Sequence, residues 1–217
     1  MSTAYYQGST AAGRLRDPGN ADPAGQSLVR DGCGHEGVGM RIVVCGGGIG
    51  GLVLAQSLRR IADVTVLERD RRPTDTGGYR LHLDGPACAA LRRSLDAELF
   101  DDIRAVSDPP STFTQFTIAT RDLDPMVIDH QDPAEDRLLV QRQALRLLLT
   151  RGIEDQVQWD VPVAAVTPAD DGARVRLADG RRLSADLVVG ADGAQSPSVA
   201  AVTGASASRD LGVVGIA

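Results

Sequence analysis

A short β-branched run, Arg41-Ile42-Val43-Val44-Cys45, passes without a break into Gly46-Gly47-Gly48-Ile49-Gly50-Gly51. Nothing else in the chain limits the fold as strongly. The apolar run reads as a strand, and glycines set directly behind it mark a tight turn. Leu52, Ala55, Leu58 and Ile61 then recur at helical spacing, and Val64-Thr65-Val66-Leu67-Glu68 reads as a second strand. Strand, glycine turn, helix and strand make a βαβ unit, which requires a parallel sheet and places the chain in the α/β class.

Within the turn, Gly46, Gly48 and Gly51 have the GxGxxG spacing. The first allows the tight turn, the second lets backbone approach a pyrophosphate, and the third lets helix and strand pack closely. The helix N-terminus adds free N–H groups and a positive dipole end. Glu68 lies 22 positions after Gly46 (68 − 46), at the end of the second strand. A carboxylate there accepts hydrogen bonds from ribose hydroxyls. The pattern points to a bound dinucleotide, and by itself it does not separate NAD from FAD. An NAD dehydrogenase continues with alternating strands and helices; this chain leaves that alternation.

Residues 1–39 are rich in Gly, Pro, Asp and Ser, carry no periodic apolar pattern, and read as a disordered extension, with Met40 a candidate translation start. Residues 86–105 read as one helix with Leu91, Leu95 and Leu99 in a stripe. Residues 112–129, with Phe113, Phe116 and Ile118, read as an antiparallel strand pair. Gln141 to Arg151 reads as a helix with Leu145, Leu148 and Leu149 on its apolar side. Residues 157–184 read as a β-meander turning at Asp170-Asp171-Gly172 and Asp179-Gly180. Asp186 to Ala191 is a buried-strand pattern that ends at Asp192-Gly193. The last run, Leu211 to Ala217, reads as a strand without a partner, and the expectation is a chain cut within a longer protein.

Composition works here by exclusion. The net charge of -6 argues against nucleic acid or an anionic membrane as partner. All 23 basic residues are Arg, and pairs such as Arg71-Arg72 and Arg181-Arg182 stand among acids, as solvated faces do. No apolar run approaches the ~18 residues of a membrane span. Cys33, Cys45 and Cys88 form no CxxC pair, and His35, His82 and His130 lack metal-ligand spacing. The expectation is therefore no metal site and a reducing cytoplasm. Cys45 and Trp159 read as core residues, and His82 as packing or solvent-facing.

Three ordered segments resemble the group A flavoprotein monooxygenases, the FAD-dependent aromatic-ring hydroxylases, across about residues 40–217. Arg41 to Glu68 is similar to the family's FAD fingerprint. Gln141-Arg142-Gln143-Ala144-Leu145-Arg146 is similar to its R-x-x-L helix start, whose arginine reaches FAD. Asp186 to Ser196 is similar to its strand-D-G-x-x-S segment, and Gly77-Gly78-Tyr79-Arg80-Leu81 looks like the loop beside the flavin ring. The resemblance implies an FAD/NAD(P)-binding, Rossmann-like domain of the glutathione-reductase type over residues 40–217, incomplete. It also implies part of an antiparallel β substrate domain, inserted around 106–135. FAD contacts are implied at Gly46, Gly48, Ile49, Gly50 and Gly51, at Glu68 and Arg69, and at Gly78, Arg142 and Asp192. On their own terms Arg142 also reads as a solvated helix residue, and Asp192 as a turn former.

The implied activity is hydroxylation of a small aromatic or polyketide-like substrate, with NAD(P)H as co-substrate and O2 as oxidant. The flavin carries that chemistry, so no catalytic side chain is singled out. Two departures from the family pattern stand out. Pro197-Ser198-Val199-Ala200 follows Ser196 where the family has a Val-Arg pair, and no Gly-Asp pair occurs in the chain. Three alternatives stay open: a flavin-dependent reductase or dehydrogenase of the same fold, an NAD(P) dehydrogenase, and a non-catalytic FAD-binding fragment.

Overall fold

The computed structural model describes residues 39–109, 112, 114–130, 132, 136–206 and 208–209. The expectations for residues 1–38, for Phe113 and for the run from Leu211 to Ala217 lie outside the described residues.

The βαβ unit forms where its pattern puts it. Strand β1 (Arg41–Cys45), helix α1 (Ile49–Leu58) and strand β2 (Asp63–Leu67) follow one another, and β1 pairs in parallel with β2 from Arg41↔Asp63 to Cys45↔Leu67. Helix α1 ends three residues before Ile61, which is 75% exposed rather than part of the apolar stripe. Next come β3 (Arg80–Leu83), α2 (Gly85–Ser94) and α3 (Ala97–Ala105). The single helix expected over 86–105 is thus two. Asp84 caps α2 by accepting from the Ala87 N–H at 2.9 Å, and the helix stops at Leu95, whose backbone is extended (φ −112°, ψ 158°). Asp96 at the start of α3 gives its carboxylate to Arg59 and Arg60 instead of to its own helix. Leu91, Leu95 and Leu99 are all buried, so the stripe marks the core correctly across the break.

Strands β4 (Gln115–Ala119) and β5 (Pro125–His130) form the expected antiparallel pair, and β6 (Leu138–Gln141) pairs with β3 and leads into α4 (Arg142–Thr150). Strand β7 (Val157–Gln158) does not open the meander, because it pairs in parallel with β2. The meander is β8 (Val163–Ala169), β9 (Gly172–Leu177) and β10 (Arg182–Ala185). Strand β11 (Leu187–Gly190) returns to the parallel sheet beside β1, and α5 (Pro197–Thr203) closes the described chain. The four-stranded order is β11-β1-β2-β7. Because β11 lies at its edge, only Val189 of that strand is buried, which corrects the fully buried reading. Asp186 pins this edge through an ion pair to Arg41 at 2.7 Å and a 2.8 Å bond from the Arg41 N–H.

Alternation along β1 explains the layering. Ile42 and Val44 face a core shared with α1 to α4, whereas Val43 and Cys45 face Val175, Leu177, Leu183 and Ala185 of the meander. A strand covered on both faces has to be apolar throughout, and Ile42 to Cys45 are all buried. The architecture is therefore α/β: helices on one face of a parallel sheet and an antiparallel meander on the other. The β4–β5 pair stands apart, with every residue of both strands exposed.

Candidate functional site

A cleft of about 1200 Å³ opens at the carboxyl ends of β1, β2 and β11, where open α/β sheets place their ligands. Gly46, Gly48, Ile49 and Gly50 line it from the turn, Glu68 and Arg69 from the end of β2, Asp192 from the end of β11, and Arg142 from α4. Eight of the ten residues singled out in the sequence thus meet around one cavity. Gly51 and Gly78 do not line it.

The glycines divide by what surrounds them. A Cβ at Gly51 would lie 1.9 Å from the Gly46 carbonyl oxygen, so this position serves helix-on-strand packing. Gly46, at φ +107°, would drive a Cβ to 2.3 Å from the Ala191 oxygen. At Gly48 no atom lies within 4 Å of the Cβ position, and the residue faces the cleft. Gly48 is also the N-cap of α1 and has no side chain to satisfy the first N–H groups of that helix. Open space over unsatisfied amides at a helix N-terminus is a cradle for an anion.

Glu68 is buried and held on both oxygens. Oε2 accepts from the Gly47 N–H at 2.6 Å and meets Arg146 Nη2 at 3.2 Å, while Oε1 accepts from the Asp70 N–H at 2.9 Å. Arg146 is also buried. Its Nε donates to the Gly47 carbonyl at 2.8 Å, its Nη1 to Asp70 Oδ2 at 2.6 Å, and its guanidinium lies 5.0 Å from the Trp159 ring centre. Gly47, the unconstrained x of the motif, is in fact constrained, because a Cβ there would sit 2.9 Å from Glu68 Cβ.

Arg142 occupies the first position of α4, its N–H donating to the Tyr79 carbonyl at 3.2 Å. The Gly78 backbone (φ +86°) passes close by, with the Cβ position 3.5 Å from Arg142 Nη1. No described residue accepts a hydrogen bond from the Arg142 guanidinium, which leaves a cation available at the cleft. Asp192 does two jobs. Its Oδ2 accepts from the Ser198 N–H at 3.2 Å and hydroxyl at 2.8 Å, tying the strand end to α5, and it also faces the cleft. Ser196 caps α5 by accepting from the Val199 N–H at 2.9 Å, with Pro197 in the first turn. The Cys45 thiol is pushed up to about 12, chiefly by burial and further by the Asp192 charge, against a lowering hydrogen bond with Ser198. It is a core group, as expected; Trp159 is half-buried against the helix-side core, and His82 is exposed.

A family model described as FAD binding domain matches residues 40–216. This chain belongs to the FAD-binding domain family. Among curated relatives, the chloroplastic zeaxanthin epoxidase of Oryza sativa subsp. japonica is 34% identical over 166 residues, covering 70% of this chain and 25% of its own length. The FAD-dependent monooxygenase dbaB of Emericella nidulans is 30% identical over 159 residues, covering 71% of this chain and 40% of its own. In fold the chain is similar to FqzB (TM-score 0.65, 22% identity, 76% of this chain and 39% of that one). The chain spans between 18% and 40% of the length of these and the other most similar curated relatives. The cofactor of the family is FAD, and the cleft residues fit it. They combine an anion cradle at Gly48, a carboxylate at the end of β2 and a free guanidinium at Arg142.

Sequence reasoning missed Gly47, Asp70 and Arg146, and it missed Leu83, Pro86 and Ala87, which with Leu81 of the expected flavin loop form the apolar wall that completes the cleft. One signal for Arg146 was present. It lies between Leu145 and Leu149 on the buried side of an amphipathic helix, where a charge needs a partner. Its partners, Glu68 and Gly47, lie 78 and 99 positions away, and no spacing rule reaches them. Among the described residues, no helix is long and apolar enough to cross a membrane.

Proposed function

We propose that this chain binds FAD as part of an FAD-dependent monooxygenase that uses NAD(P)H and O2 on a small aromatic or polyketide-like substrate. The single observation that carries the FAD assignment is the open Gly48 cradle at the N-terminus of α1, set beside Glu68 at the end of β2. In this reading the first amides of α1 and the Arg142 guanidinium hold the pyrophosphate, and Glu68 accepts from the adenosine ribose. Thr76 and Gly77 and the apolar wall from Leu81 to Ala87 shelter the aromatic end from water. When bound, FAD supplies the redox chemistry that links the nicotinamide to oxygen. The protein positions the cofactor and keeps its surroundings dry. Relatives named as monooxygenases support the oxygen-inserting reading.

We assign the β4–β5 pair, within residues 106–135, to the substrate side, on the strength of its antiparallel form and full exposure. The same exposure favours a second reading, in which this chain alone binds FAD without hydroxylating a substrate. Buried, free Cys45 and Cys88 support a reducing compartment, the cytoplasm. The test is to purify the full chain, release its small molecules by heat and identify them. FAD is expected, and a colourless protein or released NAD refutes the assignment. Product formed in step with NADH or NADPH oxidation, across a panel of phenols and polycyclic aromatics, favours the first reading. Hydrogen peroxide without product favours the second.

A further inference from the structure

We propose that Arg146 is the positioning residue that aims Glu68 at the adenosine ribose, so that recognition of the ribose hydroxyls depends on Arg146 as well as on Glu68. This inference rests on the FAD reading above. One guanidinium ties three separate parts of the cleft together. Nε holds the Gly47 carbonyl of the glycine turn, Nη2 holds Glu68 Oε2, and Nη1 holds Asp70 Oδ2 beyond β2. The guanidinium also lies over the Trp159 ring, 5.0 Å from its centre.

The count of acceptor positions gives this arrangement a consequence. A carboxylate offers about four lone-pair sites. On Glu68 the Gly47 N–H occupies one site of Oε2, which the Arg146 ion pair also faces at 3.2 Å, and the Asp70 N–H occupies one site of Oε1. With the Arg146 cation set against Oε2, the more open site is on Oε1, and Glu68 lines the cleft where a ribose hydroxyl would meet it. Without Arg146 the Oε2 anchor weakens, a buried carboxylate loses its counter-cation, and the direction of the free site is lost. An ion pair serving stability alone would lack this link between the turn and the ribose acceptor.

The experiment uses the full chain and two ligands: FAD, and an FAD analogue whose adenosine ribose lacks both hydroxyls. Binding is read from the change in flavin fluorescence. Wild type is expected to prefer FAD by about tenfold, the worth of one charge-assisted hydrogen bond. Arg146→Met is expected to bind both ligands with nearly equal affinity, and Arg146→Lys, which keeps the charge but not the fork, to recover part of the preference. Equal weakening of both ligands in Arg146→Met, with the preference intact, overturns the proposal and leaves Arg146 a purely stabilising residue. Should Arg146→Met not fold, Arg146→Lys decides, and an undiminished preference in it overturns the proposal. A wild type that binds FAD without preference overturns the aiming of Glu68. A wild type that binds no FAD overturns the cofactor reading itself, which separates the two failures.

Discussion

Two glycines of one motif should respond in opposite ways to the same added methyl group. At Gly51 the Cβ would stand 1.9 Å from the Gly46 oxygen and 3.1 Å from its carbon, both backbone atoms that cannot swing aside. Helix α1 must then part from β1, and overpacking of this kind costs about 1–3 kcal/mol or more. For a chain of this size each kcal/mol is worth roughly 2–4 °C, so Gly51→Ala should melt about 2–12 °C below wild type. At Gly48 the same methyl meets nothing within 4 Å, and the backbone (φ −72°, ψ −178°) suits any residue. A small loss at the N-cap and a small gain from a stiffer unfolded chain nearly cancel, leaving stability within about 1 kcal/mol. The methyl of Gly48→Ala does, however, enter the anion cradle. Displacing a phosphate from two amide donors forfeits at least about 3 kcal/mol, or roughly a hundredfold in FAD affinity. Thermal melting of the FAD-free proteins, followed by FAD titration of each, reads both quantities. The reasoning fails if Gly48→Ala binds FAD like wild type, or if it melts as low as Gly51→Ala.

Three further outcomes follow from the same geometry. Glu68→Gln keeps the shape of the side chain but weakens a charge-assisted acceptor, so FAD affinity should fall about tenfold; unchanged affinity in a fluorescence titration removes Glu68 from the site. Arg41 holds the Asp186 carboxyl below the usual carboxylate range through hydrogen bonds and charge. Its contribution is therefore present above the unfolded-state value near ~3.9 and is lost as pH falls below it, so Asp186→Asn should narrow the difference in stability between pH 6 and pH 3, and an unchanged acid limb refutes this. The Cys45 thiol, raised to about 12, should resist alkylation in the native protein at pH 8, with burial of the neutral thiol stabilising the fold below ~8.5 and ceasing to do so as pH climbs toward 12. Rapid labelling of native Cys45, read by mass spectrometry, refutes its burial.

Much of this molecule was legible along the chain because its defining features are local. The run from Arg41 to Glu68 states strand, turn, helix and strand by periodicity and glycine placement alone, and those elements form within three residues of where they were expected. Their order also brings the ends of β1, β2 and β11 to one edge, which is why eight of the ten residues expected at the site line the cleft. Where helices stop was less legible. Ile61 continues the apolar spacing yet lies in solvent, and Leu95 keeps the stripe while its backbone breaks the helix, because spacing records which side chains want burial and not where the backbone turns.

The tertiary structure alone decided how the charges are partnered. Arg146, Glu68, Asp70 and Gly47 come from the helix α4, the end of β2 and the glycine turn, and only the parallel sheet brings them within hydrogen-bond reach. The fold also chose which glycine is structural and which is open, a distinction invisible in GxGxxG. Periodicity is a property of neighbours in the chain, whereas a buried charge is stabilised by whatever atoms the topology carries to it from far away.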